Sequence, residues 1–112
     1  MTFKEIATMI NSIGYPSAYY QFDPDPDNPP PAPPFICFFY DSSDDMYADN
    51  KNYQHITALV VELYTDNKDF TAESAVETAL TKSGLSWTKS EDYINSERMY
   101  QITYNTGVVI NG

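Results

Sequence analysis

Residues 23–34 read Asp-Pro-Asp-Pro-Asp-Asn-Pro-Pro-Pro-Ala-Pro-Pro and hold seven of the chain's eight prolines. Proline lacks the amide hydrogen and locks φ, so neither a helix nor a central strand can run through this stretch. It must be an extended, polyproline-like arm or loop. All regular structure is therefore confined to residues 1–22 and 35–112. Aromatic, strand-like segments lie on both sides of the arm, at 18–22 and 35–41. The arm is accordingly expected inside one domain spanning residues 1–112, and not as a boundary between two.

The apolar spacing predicts the elements on either side. Phe3, Ile6, Ala7, Ile10 and Ile13 form one stripe and predict a helix over 2–13. Thr2 with Glu5 three residues later is a capping-box pattern, and Gly14 follows the last apolar position. Residues 18–22 and 35–41 predict strands, and the polar, acidic residues 42–52 predict a loop. Residues 53–65 predict a long strand with two apolar faces: Thr57, Leu59, Val61 and Leu63 on one, Ile56, Ala58, Val60 and Tyr64 on the other. Such a strand belongs in the middle of a sheet, covered on both sides by helices or a partner. Ala72, Ala75, Val76, Ala79 and Leu80 predict a helix over 71–83, with Thr71 as N-cap and Gly84 as its stop. Strands follow at 85–93 and 98–104, with a turn near 95–96, and 108–110 continues the last strand or forms a tail. The order α-β-β-β-α-β-β predicts an α+β fold: an antiparallel or mixed sheet of about five strands carrying two helices.

Charge narrows the partners. Sixteen acidic and six basic residues give a formal net charge of −10 over 112 residues. Nucleic-acid phosphates would repel such a chain. The acidity suits plain solubility, a passage through which a polyanion must slide, or mimicry of nucleic acid. Ten Tyr and six Phe suit partly wet, partly buried interfaces. The single cysteine, Cys37, allows no intrachain disulfide and calls for no oxidising compartment. The N-terminal residues do not read as a signal peptide, and no run approaches the ~18 apolar residues that span a membrane. A soluble protein made in the cytoplasm is expected.

Chemical motifs are sparse. Asp23, Asp25 and Asp27 match the first half of a calcium loop, but Asn28 stands where glycine is required and Pro34 where the bidentate glutamate belongs. A solvated acidic arm explains them better. Cys37 and the lone His55 could pair as nucleophile and base across neighbouring strands. Within Phe-Ile-Cys-Phe-Phe, however, a small buried thiol is the ordinary reading of Cys37. The four glycines are scattered, so no phosphate-cradling loop is formed. We expect no enzyme, catalytic residue, cofactor or metal. The most specific local feature is the arm. It is either a stiff solvent loop or a pre-ordered contact segment, and its aromatic flanks favour contact. Tyr19, Tyr20, Phe22, Pro29, Pro30, Pro31 and Phe35 are the candidate assembly contacts.

Taken together, Phe3-Lys4-Glu5-Ile6, the run from Gly14 to Phe22, Pro33-Pro34-Phe35, Ala48-Asp49-Asn50-Lys51-Asn52-Tyr53, the run from Val61 to Phe70, and Ser96-Glu97-Arg98-Met99-Tyr100-Gln101-Ile102-Thr103-Tyr104 give the chain a familiar texture. It resembles small tail-completion (tail-terminator) or head–tail joining proteins of long-tailed bacteriophages and prophages. The likeness spans nearly the whole chain, although the arm is longer than expected of that family. The resemblance implies a small α/β subunit that forms a hexameric ring, caps the tail tube and meets the head connector proteins. DNA would pass through without specific binding. Assembly would occur in the host cytoplasm, and the protein would end at the head–tail interface of the virion, with no membrane involved. On that reading Asp44, Asp45 and Asp49 are candidate lumen acids. A different head–tail connector or tail-assembly subunit, and an acidic DNA-mimic inhibitor, are the alternatives.

Overall fold

The structure, a computed structural model, describes residues 1–23, 25–27, 29–47 and 55–110, with backbone alone for 42–47 and 55. The elements are α1 (Phe3–Asn11), β1 (Ser17–Tyr19), β2 (Phe35–Tyr47), β3 (His55–Thr65), α2 (Phe70–Lys82), β4 (Trp87–Ile94) and β5 (Met99–Val109). They build the expected α+β fold. The five strands form one sheet in the order β1-β2-β3-β5-β4, with β1 parallel to β2 and every other pair antiparallel.

The parallel β1–β2 pair gives the arm a structural task. Parallel neighbours cannot be joined by a tight turn and need a crossover of about a dozen residues or more. Residues 20–34 supply that crossover in proline-rich chain, with no helix among the described residues.

Local chemistry sets the helix ends. Thr2 Oγ1 accepts from the Glu5 amide at 3.0 Å and Glu5 Oε1 accepts from the Thr2 amide at 2.9 Å, closing the capping box on α1. Gly84 ends α2 at φ 78, a left-handed conformation that costs glycine little. At the other end of α2 the cap is Asp69 and not Thr71. The Asp69 carboxylate accepts from the Ala72 amide at 2.9 Å, so the helix starts one residue early.

Both helices pack on one face of the sheet. Ile6, Met9 and Ile10 of α1 and Ala72, Val76 and Leu80 of α2 meet Ile36, Phe38, Leu59, Val61, Leu63, Ile102, Tyr104 and Val108 in a continuous core. β3 is central as expected, but the helices cover only its Leu59-Val61-Leu63 face. On the other side Ile56, Ala58, Glu62 and Tyr64 remain partly exposed.

Other boundaries differ from the sequence reading, α1 ending at Asn11 and β4 starting at Trp87 among them. β2 does not stop at residue 41. It continues through a register shift to pair Met46 with Ile56 and Tyr47 with His55, so Asp44 and Asp45 are strand residues and not loop residues. The cause is the long β3 ladder, which offers hydrogen bonds to any backbone beside it and overrides the low strand propensity of Ser and Asp. Asp49 lies outside the described residues. β1 ends at Tyr19: the Tyr20 amide still donates to the Phe38 carbonyl at 2.7 Å, but its φ of 70 turns the chain after it out of the ladder. β5 is one strand to Val109, paired with β3 from Tyr100 to Val109.

Among the described residues, two that are not glycine have positive φ: Tyr20 at 70° and Arg98 at 53°. Each such conformation costs an L-residue about 1 kcal/mol. Among the described residues, no helix is long and apolar enough to cross a membrane.

Candidate assembly interface

Strand alternation sorts side chains onto two faces, and the register shows which ones meet. On the face away from the helices, Phe35 lies opposite Tyr64, Cys37 opposite Glu62, and Phe39 opposite Val60. β5 extends this face with Gln101, Thr103 and Asn105, opposite Tyr64, Glu62 and Val60. The β2–β3 half is thus aromatic and the β5 half polar.

The chain leaving β1 builds a wall on the aromatic half. Tyr20 packs edge-on to Phe39 at 5.7 Å, and Phe22 edge-on to Phe35 at 5.5 Å. Phe35 in turn stacks on Tyr64 at 5.0 Å. Together with Gln21, Pro30, Cys37 and Glu62 they line an open groove of about 510 Å³.

Glu62 is the one charged group in that lining. Tyr64 Oη donates to its Oε1 at 3.0 Å, and Gln101 Nε2 donates to its Oε2 at 2.8 Å and to Tyr64 Oη at 3.0 Å. Two neutral donors thus orient the carboxylate without neutralising it. Burial, then the Glu62 charge, pushes the Cys37 thiol up to about 11. Burial, followed by the same carboxylate's charge and hydrogen bond, raises the Tyr64 phenol well above its usual value. Cys37 is therefore a protonated, buried thiol at neutral pH.

The residues proposed as assembly contacts divide between surfaces. Tyr20, Phe22, Pro30 and Phe35 line the groove, while Pro29 and Pro31, next to Pro30 in the chain, are not part of its lining. Tyr19 belongs to the opposite face, against Phe38 at 5.5 Å and Tyr40 at 5.7 Å. Cys37, Phe39, Glu62 and Tyr64 were not among the candidates. Their signal was the alternation along 35–39 and 60–64, which puts every second residue on one face. Cys37 and His55 are not brought together: Cys37 is opposite Glu62 and His55 opposite Tyr47, about 23 Å apart along the strand. Asp23, Asp25 and Asp27 stay on the arm, where Asp25 Oδ1 accepts from the Asp27 amide at 2.9 Å.

A second polar cluster lies between α2 and β4. Glu73 is 2% exposed and its two oxygens each sit 2.7 Å from an ammonium, Lys68 on one side and Lys89 on the other. Lys89 also reaches Glu77 at 2.8 Å, and Lys68 pairs with Glu91. Tyr104 Oη donates to Glu77 Oε2 at 2.7 Å. Burial alone would raise the Glu73 carboxyl, but the hydrogen bonds and charges of Lys68 and Lys89 outweigh it and hold the group below its usual value. Every ion here has an opposite partner. Three carboxylates share two ammoniums, and the cluster works as a clamp holding α2 on the sheet.

No protein-family model matches the chain, and no curated protein matches it in sequence. Among solved structures, a chain from the virion of a native gene transfer agent (GTA) particle shares its architecture. The TM-score is 0.61 at 16% sequence identity, covering 98% of this chain and 89% of that one. At that identity the likeness is one of fold: this two-helix, five-stranded α+β domain is matched across its whole length.

Proposed function

We propose that this protein is a non-enzymatic structural subunit of a phage-like virion, and that within the particle it serves as a tail-terminator-type subunit. Copies would close into a ring at the head–tail junction, cap the tail tube and let DNA pass. The observation that carries this reading is the end-to-end fold likeness to a chain of a virion particle, 98% of one against 89% of the other. The open aromatic sheet face supports it, since a surface of this kind suits a neighbouring subunit. The net charge of −10 supports a lumen that repels phosphate, with Asp44 and Asp45 on the outer half of β2 as the acids to examine.

The test is the solution mass of the full chain by light scattering after size exclusion, over a concentration series, with negative-stain microscopy of the largest species. A closed ring, and arrest of tube growth when it is added to polymerising tail-tube protein, are the expected results. A strict monomer that leaves tube growth unchanged would sink the reading.

A further inference from the structure

We infer that the aromatic groove around Glu62 receives Arg98 from the β4–β5 turn of a second copy, making a head-to-tail contact between subunits. The inference rests on the ring reading and names the two surfaces that would mate. Its first support is charge. The groove's lining contains one carboxylate, Glu62, and no cation, and Glu62 is held there by two neutral donors. An anion on an aromatic floor is a site for a guanidinium, which can pair with the carboxylate and stack on the rings together.

The second support is where the chain keeps an uncommitted cation. Lys68 and Lys89 are spent in the clamp between α2 and β4, and Lys4 and Lys82 belong to the helix layer. That leaves Arg98 among the described basic residues, in the turn at the end of β4 and β5. It is exposed in the turn that joins Ile94 to Met99, with no ion-pair partner among the described residues.

Topology supplies the third. Tyr64 and Phe35 lie at the end of the strands where Thr65 pairs with Tyr100, and the 95–98 turn extends from that same end. The groove lies over β2 and β3, near the β1 edge, whereas the turn joins the last two strands at the opposite edge. One copy's turn and the next copy's groove are therefore two different patches. Used in one direction, the turn of one copy in the groove of the next, they make a heterologous contact, which closes into a ring or continues as a filament, whereas reciprocal use of the same two patches stops at a two-fold dimer.

Backbone strain points to the same two places. The two described non-glycine residues with positive φ are Tyr20, in the groove wall, and Arg98, in the turn. Glycine or asparagine would hold the Arg98 conformation more easily, so the arginine side chain is kept there against the preference of the local backbone.

The experiment uses the full chain and measures self-association by sedimentation velocity over a concentration series. Arg98→Glu and Glu62→Arg should each weaken association about tenfold or more, and the double reversal should restore most of it. Because Glu62→Arg could disturb the sheet, Glu62→Gln and Arg98→Gln are read as a second cycle, in which the double variant should be no weaker than the weaker single. Arg98→Gly should raise the melting temperature of the dilute protein while weakening association, a pairing of signs that a merely structural role would not give. Association unaffected by Arg98→Glu overturns the inference and leaves the ring reading standing. Weakening by the Glu62 variants alone overturns it in favour of a different segment of the second copy as the groove's occupant. A wild type monomeric throughout overturns it too, and the tube-growth assay then judges the virion reading separately.

Discussion

Replacing Glu73 with glutamine removes a charge from the one place where the fold has buried it. The amide keeps the shape of the side chain but puts an N–H donor where an ammonium now finds an oxygen at 2.7 Å. Breaking a fully buried ion pair costs about 3–5 kcal/mol. Here Lys68 and Lys89 are 31% and 34% exposed, and each keeps a second carboxylate, Glu91 or Glu77. Solvent and those partners take up part of the loss, so about 2 kcal/mol remains. For a chain of this size that lowers the melting temperature by about 8 °C. Glu91→Gln is the internal control: Glu91 is 42% exposed and its pair should be worth under about 1 kcal/mol. Both are read by circular dichroism on dilute protein at neutral pH. The same clamp fixes the pH dependence. The folded-state Glu73 value is depressed, so its contribution is complete above the usual glutamate range and is lost as pH falls through the lowered value. Glu73→Gln should therefore be most harmful near neutrality and converge on wild type in acid. A Glu73→Gln protein melting within about 2 °C of wild type at pH 7 would refute the clamp.

Three further outcomes are expected. Thr2→Ala removes the α1 cap and should destabilise the protein by about 1 kcal/mol, seen in urea denaturation as a lower midpoint with an unchanged slope. Cys37, with its thiol pushed up to about 11, should resist iodoacetamide at pH 8 in the folded protein and react readily in denaturant. Deleting residues 24–33 shortens the β1–β2 crossover and removes Pro30 from the groove; the helices and the four antiparallel strands should still fold, while self-association falls. Unchanged association after that deletion would mean the arm is a solvent loop.

Much of the molecule could be read from residue order because it depends on local periodicity. The stripe Ile6-Ile10 can only be buried by a helix, and Leu59-Val61-Leu63 only by a strand. The proline run cannot be either. Capping was equally legible where donor and acceptor are three residues apart, as in Thr2 and Glu5. What tertiary structure alone decided involves residues far apart in the chain. The parallel pairing of β1 with β2, which turns the arm into a crossover, follows from where the sheet has room and not from either strand's pattern. The extension of β2 to Tyr47 is imposed by the ladder of β3 on residues whose own propensity is for a loop. Both helices could pack on only one face, so the apolar second face of β3 was left as an open groove with Glu62 at its centre, beside Cys37 of β2 and Gln101 of β5. Local sequence specifies dihedral preference and which side of an element is apolar. Which apolar side ends up against which neighbour is settled by packing the whole chain at once.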